Sequence, residues 1–88
     1  MVAVYYSKHF LLQLKKLPKP QQVKLTDLIE LLKVSPFHPK LHAKHLTGTL
    51  SGLFSFRITR DWRVIFQFLS AREIRLVDVA HRKDIYRK

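Results

Sequence analysis

The chain contains no cysteine. That absence excludes a disulfide framework and any thiolate metal site, and it suits a reducing compartment. Long hydrophobic runs are missing too: no apolar stretch approaches the roughly 20 residues of a membrane span. The opening residues Met1-Val2-Ala3-Val4-Tyr5-Tyr6 lack the basic flank and extended apolar run of a signal peptide. There are no repeats, low-complexity tracts or linkers. Acidic residues are scarce, six Asp and Glu against seventeen Lys and Arg. The expectation is a soluble, cytoplasmic protein with no membrane association. Its 88 residues form a single domain over 1–88, large enough for one core. An apolar fraction of 47% is ordinary for a globular chain and too high for a disordered one.

What is present is positive charge. The formal net charge is +11 and the pI is near 10.5, a field that attracts polyanions, nucleic acid first and acidic proteins second. The two cations are segregated. All seven arginines (57, 60, 63, 72, 75, 82 and 87) follow residue 56, whereas eight of the ten lysines precede residue 45. Lysine is a point charge suited to general attraction, while the guanidinium fork grips phosphate bidentately. The first half therefore contributes field and the second half contacts. The duller alternative is a lysine-coated helical surface.

Local pattern predicts an α+β fold. Residues 2–6 are β-branched and aromatic and read as a first strand. Ser7 is a good N-cap, and Phe10, Leu11, Leu14 and Leu17 follow with helical spacing until Pro18. Pro20 suits a first helical turn. Leu25, Leu28, Ile29 and Leu32 show the i, i+3, i+4, i+7 pattern of an amphipathic helix lasting to about Val34, before Ser35-Pro36. The two helices are expected as an antiparallel hairpin on one face of a three- to four-stranded antiparallel sheet. Residues 37–44 read as a loop. Phe54, Phe56 and Ile58 alternate with Ser55, Arg57 and Thr59, and Trp62, Val64, Phe66 and Phe68 alternate with Arg63, Ile65, Gln67 and Leu69. A last strand runs from about Ile74 to Ala80.

A turn centred on Arg60 sets Phe56 opposite Val64, Ile58 opposite Trp62 and Arg57 opposite Arg63. The apolar partners then share the helix-covered side. Arg57 and Arg63 share the other, and like charges opposed across strands are destabilising. An anion between them, phosphate or an acidic partner segment, would relieve that. So would Asp61, Asp78 or Asp84 acting as an internal neutraliser.

Three segments together, Leu46-Thr47-Gly48 with Leu53-Phe54-Ser55-Phe56-Arg57-Ile58, Asp61-Trp62-Arg63-Val64-Ile65-Phe66, and His81-Arg82-Lys83-Asp84-Ile85-Tyr86, resemble the RelE/ParE superfamily of toxins from type II toxin–antitoxin systems. The resemblance covers essentially the whole chain and is greatest to the RelE, YoeB and YafQ branches. It implies a microbial-ribonuclease-like sheet and an mRNA interferase that cuts messenger RNA in the ribosomal A site and is held inactive by a cognate acidic antitoxin. It also implies site residues. Arg63 matches the strand arginine at the scissile phosphate, Arg82 a second phosphate arginine, and Tyr86 a C-terminal tyrosine. Arg57 stands where the RelE branch has a lysine and the YafQ branch a histidine. His81 matches the last catalytic histidine of the YafQ branch, and Asp61-Trp62 its Asp-Trp pair. The sequence also departs from these patterns. Ser55 replaces a strand lysine, no acidic residue lies between Pro39 and Leu46, and Lys44 sits near a histidine position with His42 and His45 beside it. The general base is left open.

RNA cleavage without a metal uses the ribose 2′-OH as nucleophile. It needs a base, cations for charge on the phosphoryl oxygens, and an acid for the departing 5′-oxygen. Arg57, Arg63 and Arg82 supply the electrostatic part, usually the largest. His81 suits proton transfer, because imidazole titrates near neutrality. Tyr86 could stack on a base, orient the 2′-OH or donate a proton. Lys44, His45, Arg60, Asp61 and Trp62 are the expected substrate contacts. The five histidines (9, 38, 42, 45 and 81) lack ligand spacing with carboxylates, so neither metal nor small-molecule cofactor is expected. Each assignment has a structural rival: Arg63 as a bridge to the C-terminus, His81 as a strand-end histidine, Tyr86 as packing, Trp62 as core. At the level of function, the rivals are a ParE-like inhibitor of DNA gyrase without nuclease chemistry, and a decayed toxin that keeps only antitoxin binding.

Overall fold

The computed structural model describes residues 1–85. The chain runs through β1 (Ala3–Tyr6), α1 (Lys8–Leu14), α2 (Lys19–Val34), β2 (Lys44–His45), β3 (Phe54–Arg57), β4 (Trp62–Ser70) and β5 (Glu73–His81), with single 3₁₀ turns at Pro39–Leu41 and Gly48–Leu50. The strands form one sheet in the order β1-β5-β4-β3-β2. Two helices on a mostly antiparallel sheet is the α+β arrangement expected, but the strand count is five rather than three or four. Two elements account for the difference. Lys44–His45 is a two-residue strand on β3, too short to carry a periodic signal. β1 joins the sheet alongside β5 in parallel, a pairing between distant segments that no local pattern reports. Among the described residues, no helix is long and apolar enough to cross a membrane.

Ser7 makes the junction between strand and helix. Its backbone N–H donates to the carbonyl of Leu76 at 3.0 Å, continuing the β1 pairing. Its Oγ accepts from the Phe10 N–H at 2.9 Å and donates to the Val77 carbonyl at 2.9 Å, so one buried hydroxyl caps α1 and ties it to β5. α1 ends at Leu14 rather than Leu17, where turn bonds from Lys16 to Gln13 and from Leu17 to Leu14 take over ahead of Pro18. Pro20 sits in the first turn of α2, and Ser35-Pro36 ends that helix, because the residue before a proline disfavours helical backbone.

The core lies between the helices and one face of the sheet. Phe10, Leu25, Leu32, Phe56, Val64, Phe66 and Leu76 are among its most enclosed members. A second, smaller cluster occupies the opposite face: Leu46, Ile65 and Ile85, with Leu50, Leu53, Val77 and Ala80 packed on it. A bulge in β5 serves this second cluster. Ile65 faces Asp78 and Phe66 faces Leu76, so Val77 is the extra residue, and it packs with Ile65. Ile85, fully buried, pins the turn that follows β5. Replacing it by alanine, Ile85→Ala, is expected to cost about 2–4 kcal/mol in urea unfolding while the helical circular-dichroism signal of the folded protein is retained.

Candidate functional site

The site is built on the β3–β4 hairpin. Its register places Phe54 opposite Phe66, Ser55 opposite Ile65, Phe56 opposite Val64 and Arg57 opposite Arg63, as the alternation predicts. Beyond the strands, the Ile58 and Thr59 N–H groups both donate to the Trp62 carbonyl, at 2.8 and 3.3 Å. The Asp61 N–H donates to Thr59 Oγ1 at 3.3 Å. Arg60 is exposed at the tip. Phe54, Phe56, Val64 and Phe66 belong to the core beneath the helices. Arg57 and Arg63 therefore project from the far face, beside the Ile65 cluster.

Their electrostatic setting is unfavourable as it stands. The Nε atoms of both Arg57 and Arg63 are buried without a hydrogen-bond partner, and among the described residues neither guanidinium forms an ion pair. Two of the three internal neutralisers, Asp61 and Asp78, are engaged elsewhere, and Asp84 is exposed with no ion pair among the described residues. Asp61 Oδ1 lies 3.4 Å from Arg82 Nε. Asp78, itself buried, takes its bonds from His9 Nε2 at 3.0 Å and from the Val79 N–H at 2.8 Å. A buried donor left unsatisfied costs about 1–3 kcal/mol, and two opposed cations add to that. An oxyanion seated between the two forks would satisfy donors and charge together.

The other expected residues divide into two groups. Lys44 pairs with Ser55 and so joins the arginine face at the sheet edge. Ser55, where the resemblance has a lysine, is buried between Lys44 and Ile65. Arg82 is held at the hairpin turn, its N–H donating to the Asp61 carbonyl at 2.7 Å. His81 and Trp62 are brought together on the opposite side. They are cross-strand partners, their rings meet edge to face at 5.3 Å and 80°, and Trp62 packs on the helix-covered core. His81 Nδ1 accepts from the Lys83 N–H at 3.2 Å. His45 likewise faces away from the arginines, paired with Phe54 and packed on its ring at 4.9 Å. Tyr86 lies outside the described residues. Sequence reasoning did not single out the His9–Asp78 pair, which fastens α1 to β5, because neither residue lies in a motif. Among the described residues, no three His, Asp or Glu side chains converge to hold a metal ion.

The ParE toxin family of type II toxin–antitoxin systems (parDE) matches residues 4–86. The chain belongs to this family. No curated protein sequence is similar enough to match it. Solved structures of the same fold include RelE in the archaeal RelE–RelB complex of Pyrococcus horikoshii OT3, with 24% identity and a TM-score of 0.76 over 94% of this chain and 97% of that one. YafQ in the Escherichia coli DinJ–YafQ complex shares 20% identity, with a TM-score of 0.78 over 97% of both chains. A YoeB/ParE toxin from Agrobacterium tumefaciens shares 19%, with a TM-score of 0.76 over 91% and 98%. The chain is thus a type II toxin of the RelE/ParE superfamily, with the fold shared by RelE, YafQ and YoeB proteins.

In this toxin the opposed arginines carry a measurable consequence. Arg57→Met keeps the apolar stem while removing one charge and one unsatisfied donor. It is expected to raise stability by about 1–2 kcal/mol. Added inorganic phosphate should raise the melting temperature of the wild type and leave that of the variant nearly unmoved.

Proposed function

We propose that this toxin is a metal-independent endoribonuclease that cleaves messenger RNA in the ribosomal A site of the cytoplasm, arresting translation and growth. The observation that carries the reading is the pair Arg57 and Arg63, opposed on one face with both Nε atoms buried and unpartnered. That arrangement costs stability in the free protein and gains it when a phosphodiester is bound. Arg82, held beside the hairpin by Asp61, is the third cation. Together they stabilise the charge that builds on the phosphoryl oxygens as the 2′-oxygen attacks phosphorus and the bond to the 5′-oxygen breaks. The 2′-OH proton leaves to a base and the 5′-oxygen receives one from an acid. His81 and Tyr86 are the candidates for proton transfer. Lys44, His45, Arg60, Asp61 and Trp62 are the proposed substrate contacts, with Lys44 on the arginine face and His45 and Trp62 on the other. His81 lies on the Trp62 side of the sheet end, so a bound RNA must reach around that end to meet it.

The expected partner besides messenger RNA and the ribosome is an acidic antitoxin, drawn by a charge of +11 and laid over the arginine face by strand addition or as a helix. The YafQ and RelE relatives above, solved with DinJ and RelB, support a partner of that kind.

A second reading rests on the family itself, which is that of ParE: inhibition of DNA gyrase without nuclease chemistry. Induced expression in bacteria separates the two. The interferase predicts growth arrest with new in-frame messenger ends by primer extension. Arg63→Ala should reduce cleavage about 10²- to 10³-fold, and the Arg63→Ala/His81→Ala double variant should lose both arrest and ends. Arrest with intact messenger and damaged DNA would establish the gyrase reading. No arrest at all would identify a decayed toxin that only binds its partner.

A further inference from the structure

We propose that the β2 edge and the loop before it form a base-stacking site for single-stranded RNA, with Phe37 as its platform. The inference rests on the RNA reading above and extends it to a nucleotide away from the reacting phosphate. Phe37 is 60% exposed, and its ring rests against two others. It stacks on Phe68 at 5.9 Å and 26°, and meets Phe54 edge-on at 5.9 Å and 66°. The His45 ring packs on the same Phe54 at 4.9 Å. Two exposed rings, Phe37 and His45, thus flank a half-buried third.

The loop that presents them is already ordered. Leu41 is fully buried, the Lys40 N–H donates to His38 Nδ1 at 3.1 Å, and the His42 N–H donates to the Pro39 carbonyl at 3.1 Å. A base landing on Phe37 would therefore meet a surface with little entropy left to lose.

Charge selects the occupant. No Asp or Glu occurs between Glu30 and Asp61, while His38, Lys40, His42, Lys44 and His45 surround the ring along the chain. An exposed flat ring in a purely basic segment is the combination that binds single-stranded nucleic acid: the aromatic face takes a base and the cations take its backbone. Register supplies the link to the arginines. Lys44 lies on the arginine face and His45 on the other, so an RNA strand crossing this two-residue edge passes Lys44 before it reaches the rings. Phe54 is three residues along β3 from Arg57, about 10 Å at strand rise. A cavity of about 310 Å³ lined by Lys44, His45, Leu46, Thr47 and Leu50 lies along the same edge, within the size range of small-ligand sites.

The test is fluorescence anisotropy with a labelled 2′-O-methyl oligoribonucleotide of about ten nucleotides, which lacks the free 2′-OH nucleophile and so reports binding alone. Phe37→Ala should weaken binding about tenfold or more with its salt dependence unchanged, because stacking releases no counterions. Lys44→Ala should instead lower the salt slope by about one. Phe37→Trp should restore binding, and RNA should quench its added indole emission beyond any change at Trp62. Phe37→Ala binding like the wild type, or a wild type that does not bind the oligonucleotide, overturns the proposal. So does a Phe37→Ala variant that keeps RNA binding and loses only association with a purified acidic antitoxin, which would make the ring a protein contact. Cleavage of natural transcripts by wild type and Arg63→Ala, read in parallel, reports on the nuclease reading separately.

Discussion

The far face of the sheet depends on the register of the β3–β4 hairpin, and that register is held by burial on the near face. Phe56 opposite Val64 and Phe54 opposite Phe66 lie beneath the helices, and three of the four are essentially inaccessible. Strand side chains alternate with a period of two, so a slip of one residue would expose those rings and bury the arginines. The hydrophobic effect under α1 and α2 thereby forces Arg57 and Arg63 to confront each other on the opposite side. The repulsion is small beside the several kilocalories of aromatic burial that set it, each large side chain contributing about 1.5–3 kcal/mol. Core packing wins, and the charge conflict becomes a standing property of the fold.

Among the described residues, no carboxylate relieves that conflict from within. The acidic residues are few, and two that could have quenched the pair are committed: Asp61 to Arg82 and Asp78 to His9. Each of these contacts has a structural use. Asp61 anchors the turn after β5 to the hairpin tip, and Asp78 secures α1 against the part of β5 that β1 does not reach, since β1 pairs only with Glu73 to Leu76. Ser7 completes that seam. Those two carboxylates hold elements together, and among the described residues none pairs with Arg57 or Arg63.

The small cluster of Leu46, Ile65 and Ile85 gives the far face a floor beside the arginines, so the site has a rigid apolar wall as well as charge. It also sets where the C-terminal turn lies. The β5 bulge has a further effect on His81. Strict alternation from Ile74 and Leu76, both core residues, would put Asp78 and Ala80 in the core and His81 on the arginine face. The extra residue at Val77 reverses the parity. Val79 enters the core, Ala80 faces Arg63, and His81 pairs with Trp62. One inserted residue thus moves the histidine across the sheet.

The sequence by itself determined the elements whose signals are local. Ser7, Pro18, Pro20 and Ser35-Pro36 bounded the helices, because caps and prolines act on the backbone within a few residues. The 2-residue alternation on both sides of Arg60 determined the hairpin register and hence the Arg57–Arg63 opposition, because burial of one face is encoded in every second residue. Tertiary structure alone decided the rest. The parallel seat of β1 on β5 and the two-residue β2 arise from pairing between segments far apart in the chain, which leaves no periodic trace. The partners of Asp61 and Asp78 depend on where a turn and a helix come to rest. The face of His81 depends on a bulge, and a bulge is chosen by how two strands and a second cluster pack together, not by the residues of one strand.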